Sequence, residues 1–205
     1  HCGWLTAATA QAYRNRLETK EFFPELLIEK NRWDIDAIYI PELAIDFEQE
    51  VERLTKRMDE KDGVNIFLSE GAGIGTIVEE MEREGKEIPR DAFGHVRLDE
   101  MNPGQWFASQ FSERLGAKKT LVQKSGYFAR SAAPNEKDLT LIKQSAKFAA
   151  ECALAGQNGA VGMDQEKEDK ISLIDFKRIK GGKPFDTNTY WFTDLLNQIG
   201  QPLGD

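Results

Sequence analysis

Two short apolar runs, DAIYIPE at 36–42 and VNIFLSE at 64–70, are separated by an amphipathic stretch. That stretch, IDFEQEVERLTKRMDEKDG at 45–63, sets Phe47, Val51, Leu54 and Met58 at three- and four-residue steps. The spacing predicts a helix ending at Gly63, between two buried strands. Strand, helix, strand in this order favours parallel pairing, and a parallel pair needs helices over its faces. No other feature constrains the fold as strongly.

The rest of the chain continues the alternation. Residues 4–20 predict an Ala-rich helix with Trp4, Leu5, Ala8 and Ala12 on one side. A glycine turn and a helix over about 74–84 follow the second strand. Residues 85–103 contain the breakers Pro89, Gly94 and Pro103, and residues 104–116 predict a helix ending at Gly116. VQKSGYFARSAAP, at 122–134, begins as a strand and ends as a turn. Residues 135–159 predict a long helix, capped by Asn135 or Asp138 and ended by Gly156. GAVGMD and ISLIDF predict a β-pair around the solvated run DQEKEDK at 164–170. A loop, KGGKPFD, and a last helix, TYWFTDLLNQIG, complete the chain. The expected class is α/β with a largely parallel sheet. Trp4, Trp106 and Trp191 are assigned to core packing.

Composition narrows the function. The net charge is -8, with 40% hydrophobic and 30% charged residues. That balance suits a globular protein and argues against a bulk nucleic-acid binder. A local basic pocket for a phosphorylated metabolite remains compatible with it. Cys2 and Cys152 form no CxxC pair, and they are read as free thiols in a reducing cytoplasm. No apolar run is long enough for a bilayer, so neither membrane nor nucleic acid is an expected partner. The first residues, from His1, already have the pattern of an element's interior, which suggests a fragment.

Ligands of open α/β sheets bind beyond the carboxyl ends of the strands. Pro41-Glu42 follows the first strand, Glu70-Gly71-Ala72-Gly73 the second, and Tyr127 to Arg130 the strand that opens VQKSGYFARSAAP. Glu70 can accept two hydrogen bonds from sugar hydroxyls; its alternative is a helix cap or a partner for a Lys. Arg130 and Lys124 suit a phosphate, the first as a planar fork and the second as a compact charge. Tyr127 offers a hydroxyl, and each of these charges has solvated surface as its alternative. Lys180 and Lys183, around Gly181-Gly182, form a second cationic loop or a flexible linker. Gly71, Gly73 and Gly75 also raise a dinucleotide site, but the third glycine of that fingerprint is displaced. Asp91, at the spacing of its acidic residue, lies in an irregular segment. His95 is assigned a polar surface role. No Ser-His-Asp set, HExxH or P-loop occurs. From the residues alone, the chain is an α/β half-site for a phosphorylated polyol, with no catalytic residue or metal ligand of its own.

HCGWLTAATA, IYIPE, IFLSEGAG, SGYFARSAAP and LAGQNGAVG stand in the order found in the phosphofructokinase family. The chain resembles the C-terminal half of such an enzyme, and KSGYFARSA and IKGGKPFD look most like its bacterial pyrophosphate-dependent branch. The resemblance implies a three-layer α/β/α phosphofructokinase-like fold with a mostly parallel sheet, lacking its N-terminal half. Residues 1–132 and 184–205 would form the smaller, fructose-6-phosphate-binding domain. Residues 133–183 would return to the larger phosphoryl-donor domain, leaving an apolar face uncovered in the fragment. Glu70 matches the glutamate that binds the sugar's hydroxyls. Tyr127 and Arg130 match residues that contact the 6-phosphate. The upstream basic position falls on Leu121, a departure for which Lys124 would compensate.

The reaction so implied is phosphoryl transfer from pyrophosphate to the 1-hydroxyl of fructose 6-phosphate in glycolysis. The base, the donor site and the residues for Mg2+ would lie upstream of His1. A homodimer or homotetramer is the expected assembly. The alternatives are an ATP-dependent 6-phosphofructokinase, a non-catalytic sugar-phosphate-binding module and a dinucleotide-binding domain.

Overall fold

The computed structural model describes residues 2–92, 94, 96–179 and 181–204, with backbone alone for 98, 99, 127, 129 and 130. Helix α1 spans Trp4–Glu18, and two 3-10 turns lead from it to strand β1, Ala37–Tyr39. Helix α2, Phe47–Lys61, runs to strand β2, Ile66–Leu68. Helices α3 (Ile74–Arg83), α4 (Leu98–Met101), α5 (Pro103–Arg114), α6 (Gly126–Ser131) and α7 (Glu136–Leu154) follow. Strands β3 (Ala160–Asp164) and β4 (Lys170–Ile174) precede the last helix, α8 (Tyr190–Ile199). Two compact units result, His1–Val122 with Lys183–Asp205, and Gln123–Gly182.

In the first unit β1 and β2 pair in parallel, from Ala37↔Ile66 to Tyr39↔Leu68. Side chains alternate along a strand, and β1 feeds two cores accordingly. Ile38 and Ile40 pack with Ala7, Ala10, Phe192 and Leu196. Ala37 and Tyr39 join the opposite core with Leu54, Ile77, Phe107 and Phe111. Helices thus cover both faces of the pair, an α/β arrangement. At the free edge of β1, the side-chain amide of Gln201 takes the place of a third strand. Its Oε1 accepts the Ile38 N–H at 2.7 Å and its Nε2 donates to the Ile38 carbonyl at 2.9 Å. The expected largely parallel sheet is therefore one parallel pair here and one antiparallel hairpin in the second unit.

Helix α1 forms as expected but buries a different face. Gly3, Ala7, Ala10 and Leu17 point inward, whereas Trp4 is 53% exposed. The cause is close approach. A Cβ on Gly3 would lie 2.5 Å from the Ile40 Cβ, so small residues face the sheet and the bulky Trp4 is turned out. Trp106 and Trp191 are half-buried against the two cores.

Helix α2 begins where the Asp46 carboxylate accepts the Gln49 N–H at 3.1 Å. It closes at Asp62 (φ +59), one residue before Gly63. Beneath it lies a buried polar network. The Tyr39 hydroxyl donates to Glu50 at 2.6 Å, and Arg53 grips Glu50 through Nε (2.8 Å) and Nη2 (2.6 Å). Burial, then the Glu50 carboxylate, pushes the Tyr39 phenol far above its ordinary value, so it stays a neutral donor. Lys61 and Asp36, both buried, pair at 2.9 Å.

In the second unit α7 has a full capping box that uses both candidates. Asp138 N–H donates to Asn135 Oδ1 at 3.0 Å, and Asn135 N–H to Asp138 Oδ2 at 3.1 Å. Gly156 (φ +67) turns the chain after the helix. The hairpin pairs from Ala160↔Ile174 to Asp164↔Lys170. Asp164, expected in solvated turn, is buried instead, and Arg178 binds it with two prongs at 2.9 and 2.7 Å. That contact holds the Asp164 carboxyl below its ordinary value. A depressed carboxylate contributes stability above its unfolded pKa of ~4 and loses it as pH falls through the folded value. Amide protection of β3 and β4 is expected to hold from pH 7 to 5 and to fall at pH below about 4. Hydrogen exchange of Asp164→Asn should show no such step. Of the residues of α7, Cys152 alone is buried, and Leu139, Leu141, Ile142 and Leu154 are exposed.

The strand expected at the start of VQKSGYFARSAAP does not form. The chain is irregular through Lys124 and then enters α6. A strand needs a ladder partner, and the described strands pair only among themselves. Among the described residues no helix is long and apolar enough to cross a membrane.

Candidate functional site

Strands β1 and β2 end together, because Tyr39 pairs with Leu68. The chain beyond β2 stays tied to β1 for one more residue, through Ser69 N–H to the Tyr39 carbonyl at 2.9 Å. It then turns sharply, with Ala72 N–H donating to the Ser69 carbonyl at 3.0 Å. Ser69 and Ala72 are buried, which leaves Glu70 exposed on the turn. Its carboxylate has no hydrogen-bond or ion-pair partner among the described residues. Two oxygens with free lone pairs, on a turn fixed at both ends, suit recognition of neighbouring hydroxyls.

Gly73 makes that turn possible. Its φ is +62, and a Cβ there would lie 2.6 Å from Phe107 Cζ. Backbone conformation and packing on α5 therefore account for this glycine, which begins α3 as its N-cap residue.

Glu42, at the matching place beyond β1, is engaged differently. Its carboxylate accepts the Gly3 N–H at 3.0 and 3.1 Å and the Phe185 N–H at 2.9 Å. Gly3 is the N-cap of α1 and brings no side chain to satisfy the helix's free N–H groups. Glu42 supplies that acceptor from a distance. The signal in the sequence was a helix start without Ser, Thr, Asp or Asn.

Lys124, Tyr127 and Arg130 fall in the second unit. Lys124 is exposed, two residues before α6. Tyr127 and Arg130 hold the second and fifth positions of that six-residue helix. Their side chains lie outside the described residues, as do His95 and Lys180 entire. The structure thus brings Lys124, Tyr127 and Arg130 together in one short segment, and places Glu70 in the other unit. Cys2 and Cys152 are free thiols. Among the described residues no group of three or more His, Cys, Asp or Glu could hold a metal ion.

Ligands of open α/β sheets bind beyond the carboxyl ends of the strands, and Glu70, without a partner among the described residues, stands at that place. No protein-family model matches the chain. Curated proteins do, each named pyrophosphate–fructose 6-phosphate 1-phosphotransferase. That of Methylomonas methanica is 53% identical over 204 residues, covering 100% of this chain and 50% of the relative. That of Propionibacterium freudenreichii is 54% identical over 202 residues, or 98% and 50%. The one from Mastigamoeba balamuthi is 52% identical over 203 residues, or 99% and 50%. The chain therefore spans about half the length of the curated relatives it matches. Over that half it is a homologue of these phosphotransferases.

Proposed function

We propose that the chain supplies the sugar-phosphate half-site of a pyrophosphate-dependent 6-phosphofructokinase. The whole enzyme transfers a phosphoryl group from pyrophosphate to the 1-hydroxyl of fructose 6-phosphate. The observation that carries this is identity of 50% or more, along nearly the whole chain, to four proteins of that name. The unpaired Glu70 supports it, as an acceptor for the sugar's hydroxyls. Tyr127, Arg130 and Lys124 are assigned to the 6-phosphate.

In this reading the fold is the three-layer phosphofructokinase one. Residues 1–132 and 184–205 form most of the smaller domain, and 133–183 belong to the larger. The exposed Leu139, Leu141, Ile142 and Leu154 of α7 are in keeping with a helix that the rest of a larger domain covers. Phosphoryl transfer depends on cations that offset the charge of the moving group. Mg2+ would be held, with donor and base, by residues outside this chain. The enzyme is assigned to the cytoplasm as a homodimer or homotetramer.

The test is product formation by the protein at the full length of its relatives. Fructose 6-phosphate with pyrophosphate should give fructose 1,6-bisphosphate, and ATP in place of pyrophosphate should give none. Turnover with ATP alone would overturn the donor assignment, and turnover with neither would overturn the activity.

A further inference from the structure

We propose that Lys183 is a further phosphate-contacting residue at the carboxyl edge of β1 and β2, held there by the Glu42 carboxylate. The inference rests on the reading that this edge takes a phosphorylated sugar. It adds a cation that lies in the same unit as Glu70 and outside the segment of Lys124, Tyr127 and Arg130.

Lys183 opens the segment that completes the first unit. Two residues on, Phe185 is buried in the core of α1 and α8, with its ring 5.6 Å from Trp191 and 5.1 Å from Phe192. Its N–H is fixed on Glu42 at 2.9 Å. The same carboxylate holds the N-terminus of α1 through Gly3. One side chain therefore clasps three pieces of chain at the place where β1 ends.

That place is the rim that carries Glu70. Glu42 lies three residues beyond Tyr39, and Glu70 two beyond Leu68, its register partner. Adjacent strands are about 4.8 Å apart. Lys183 is at most about 7 Å of extended chain from the Phe185 anchor, and Pro184 between them restricts the backbone further. Its tether leaves it beside the clasp.

The charge of Lys183 is unspent. The residue is exposed and has no hydrogen-bond or ion-pair partner among the described residues. The nearby Glu42 carboxylate is already committed to backbone N–H groups. An ammonium with three donors suits the oxygens of a terminal phosphate. Those oxygens belong either to the sugar phosphate or to pyrophosphate, and kinetics separates the two.

Lys183→Ala and Lys183→Arg, made in the full-length enzyme, test the proposal. Lys183→Ala should raise one KM on the order of tenfold, leave kcat nearly unchanged and leave the melting temperature where it was. Lys183→Arg should recover most of the loss. A rise in KM for fructose 6-phosphate assigns the sugar's phosphate, and a rise for pyrophosphate assigns the donor's. Glu42→Ala should raise the same KM, and the double variant should be no worse than Lys183→Ala. Additive effects would show that Glu42 acts independently of Lys183 and would overturn the clasp. An enzyme that turns over both substrates and is indifferent to Lys183→Ala overturns this inference alone. Absence of that turnover overturns the reading beneath it.

Discussion

Asp36→Ala should lower the stability of the chain by about 3–5 kcal/mol, the cost of leaving a buried charge without its partner. Asp36 Oδ2 accepts the Asn65 N–H at 2.8 Å and pairs with Lys61 at 2.9 Å. Without the carboxylate, the Lys61 ammonium keeps only the carbonyls of Asn31 (2.7 Å) and Asp34 (3.2 Å). Those dipoles stabilise the cation, but its net charge stays uncompensated in the interior. For a chain of this size the melting midpoint should fall by roughly 10 °C. The double variant Asp36→Ala/Lys61→Met should recover much of the loss, because it removes the orphaned charge as well. A fall of only a degree or two in the single variant would mean that solvent reaches the pair. The consequence for function is local. Asp36 immediately precedes β1 and bonds to Asn65 just before β2, so the pair fixes the register that sets Glu42 and Glu70 on one rim.

Arg130→Ala should raise the KM for fructose 6-phosphate in the full-length enzyme on the order of tenfold or more. One charge-assisted hydrogen bond is worth roughly 1.5–3 kcal/mol, and a contact made equally in ground and transition states is lost from KM more than from kcat. Arg130→Lys should recover part of it, since the charge returns without the fork that matches two phosphate oxygens. Arg130 occupies the fifth position of α6, a short helix that begins at Gly126. An unchanged KM would remove Arg130 from the phosphate site.

Elements with strong local instructions were legible from the sequence. Helix α2 carries its apolar positions at helical spacing, and α7 its capping residues, so periodicity and caps sufficed. The hairpin of β3 and β4 followed from two apolar runs around a charged turn. The features that tertiary contact decides were harder to read. The inward face of α1 is set by the approach of Gly3 to Ile40, which no pattern within the helix reveals. The strand expected at the start of VQKSGYFARSAAP has no partner among the described strands. Asp164, in a run of charges, is buried because Arg178, fourteen residues on, reaches back to it. Helix α2 ends at Asp62 in a left-handed conformation that Gly63 was expected to supply.

The site divided in the same way. Glu70 is legible from its position just beyond a parallel strand, and the structure leaves it exposed on that turn and unpaired among the described residues. Glu42 is on the same rim by the same logic, yet its oxygens hold Gly3 and Phe185, partners 39 and 143 residues away in sequence. No local pattern marks such a clasp. Tyr127 and Arg130 were candidates by residue type and by their place after an apolar run, with solvated surface as the alternative, and the family motif is what ties them to the 6-phosphate.

The central proposal is that Glu70 and Arg130 grip the acceptor sugar and not the phosphoryl donor. The KM for pyrophosphate, measured at saturating fructose 6-phosphate on Arg130→Ala and Glu70→Gln, tests it most directly. The expected result is a KM for pyrophosphate within about twofold of the parent enzyme, beside a raised KM for fructose 6-phosphate. A KM for pyrophosphate that rises as far as that for the sugar would contradict it.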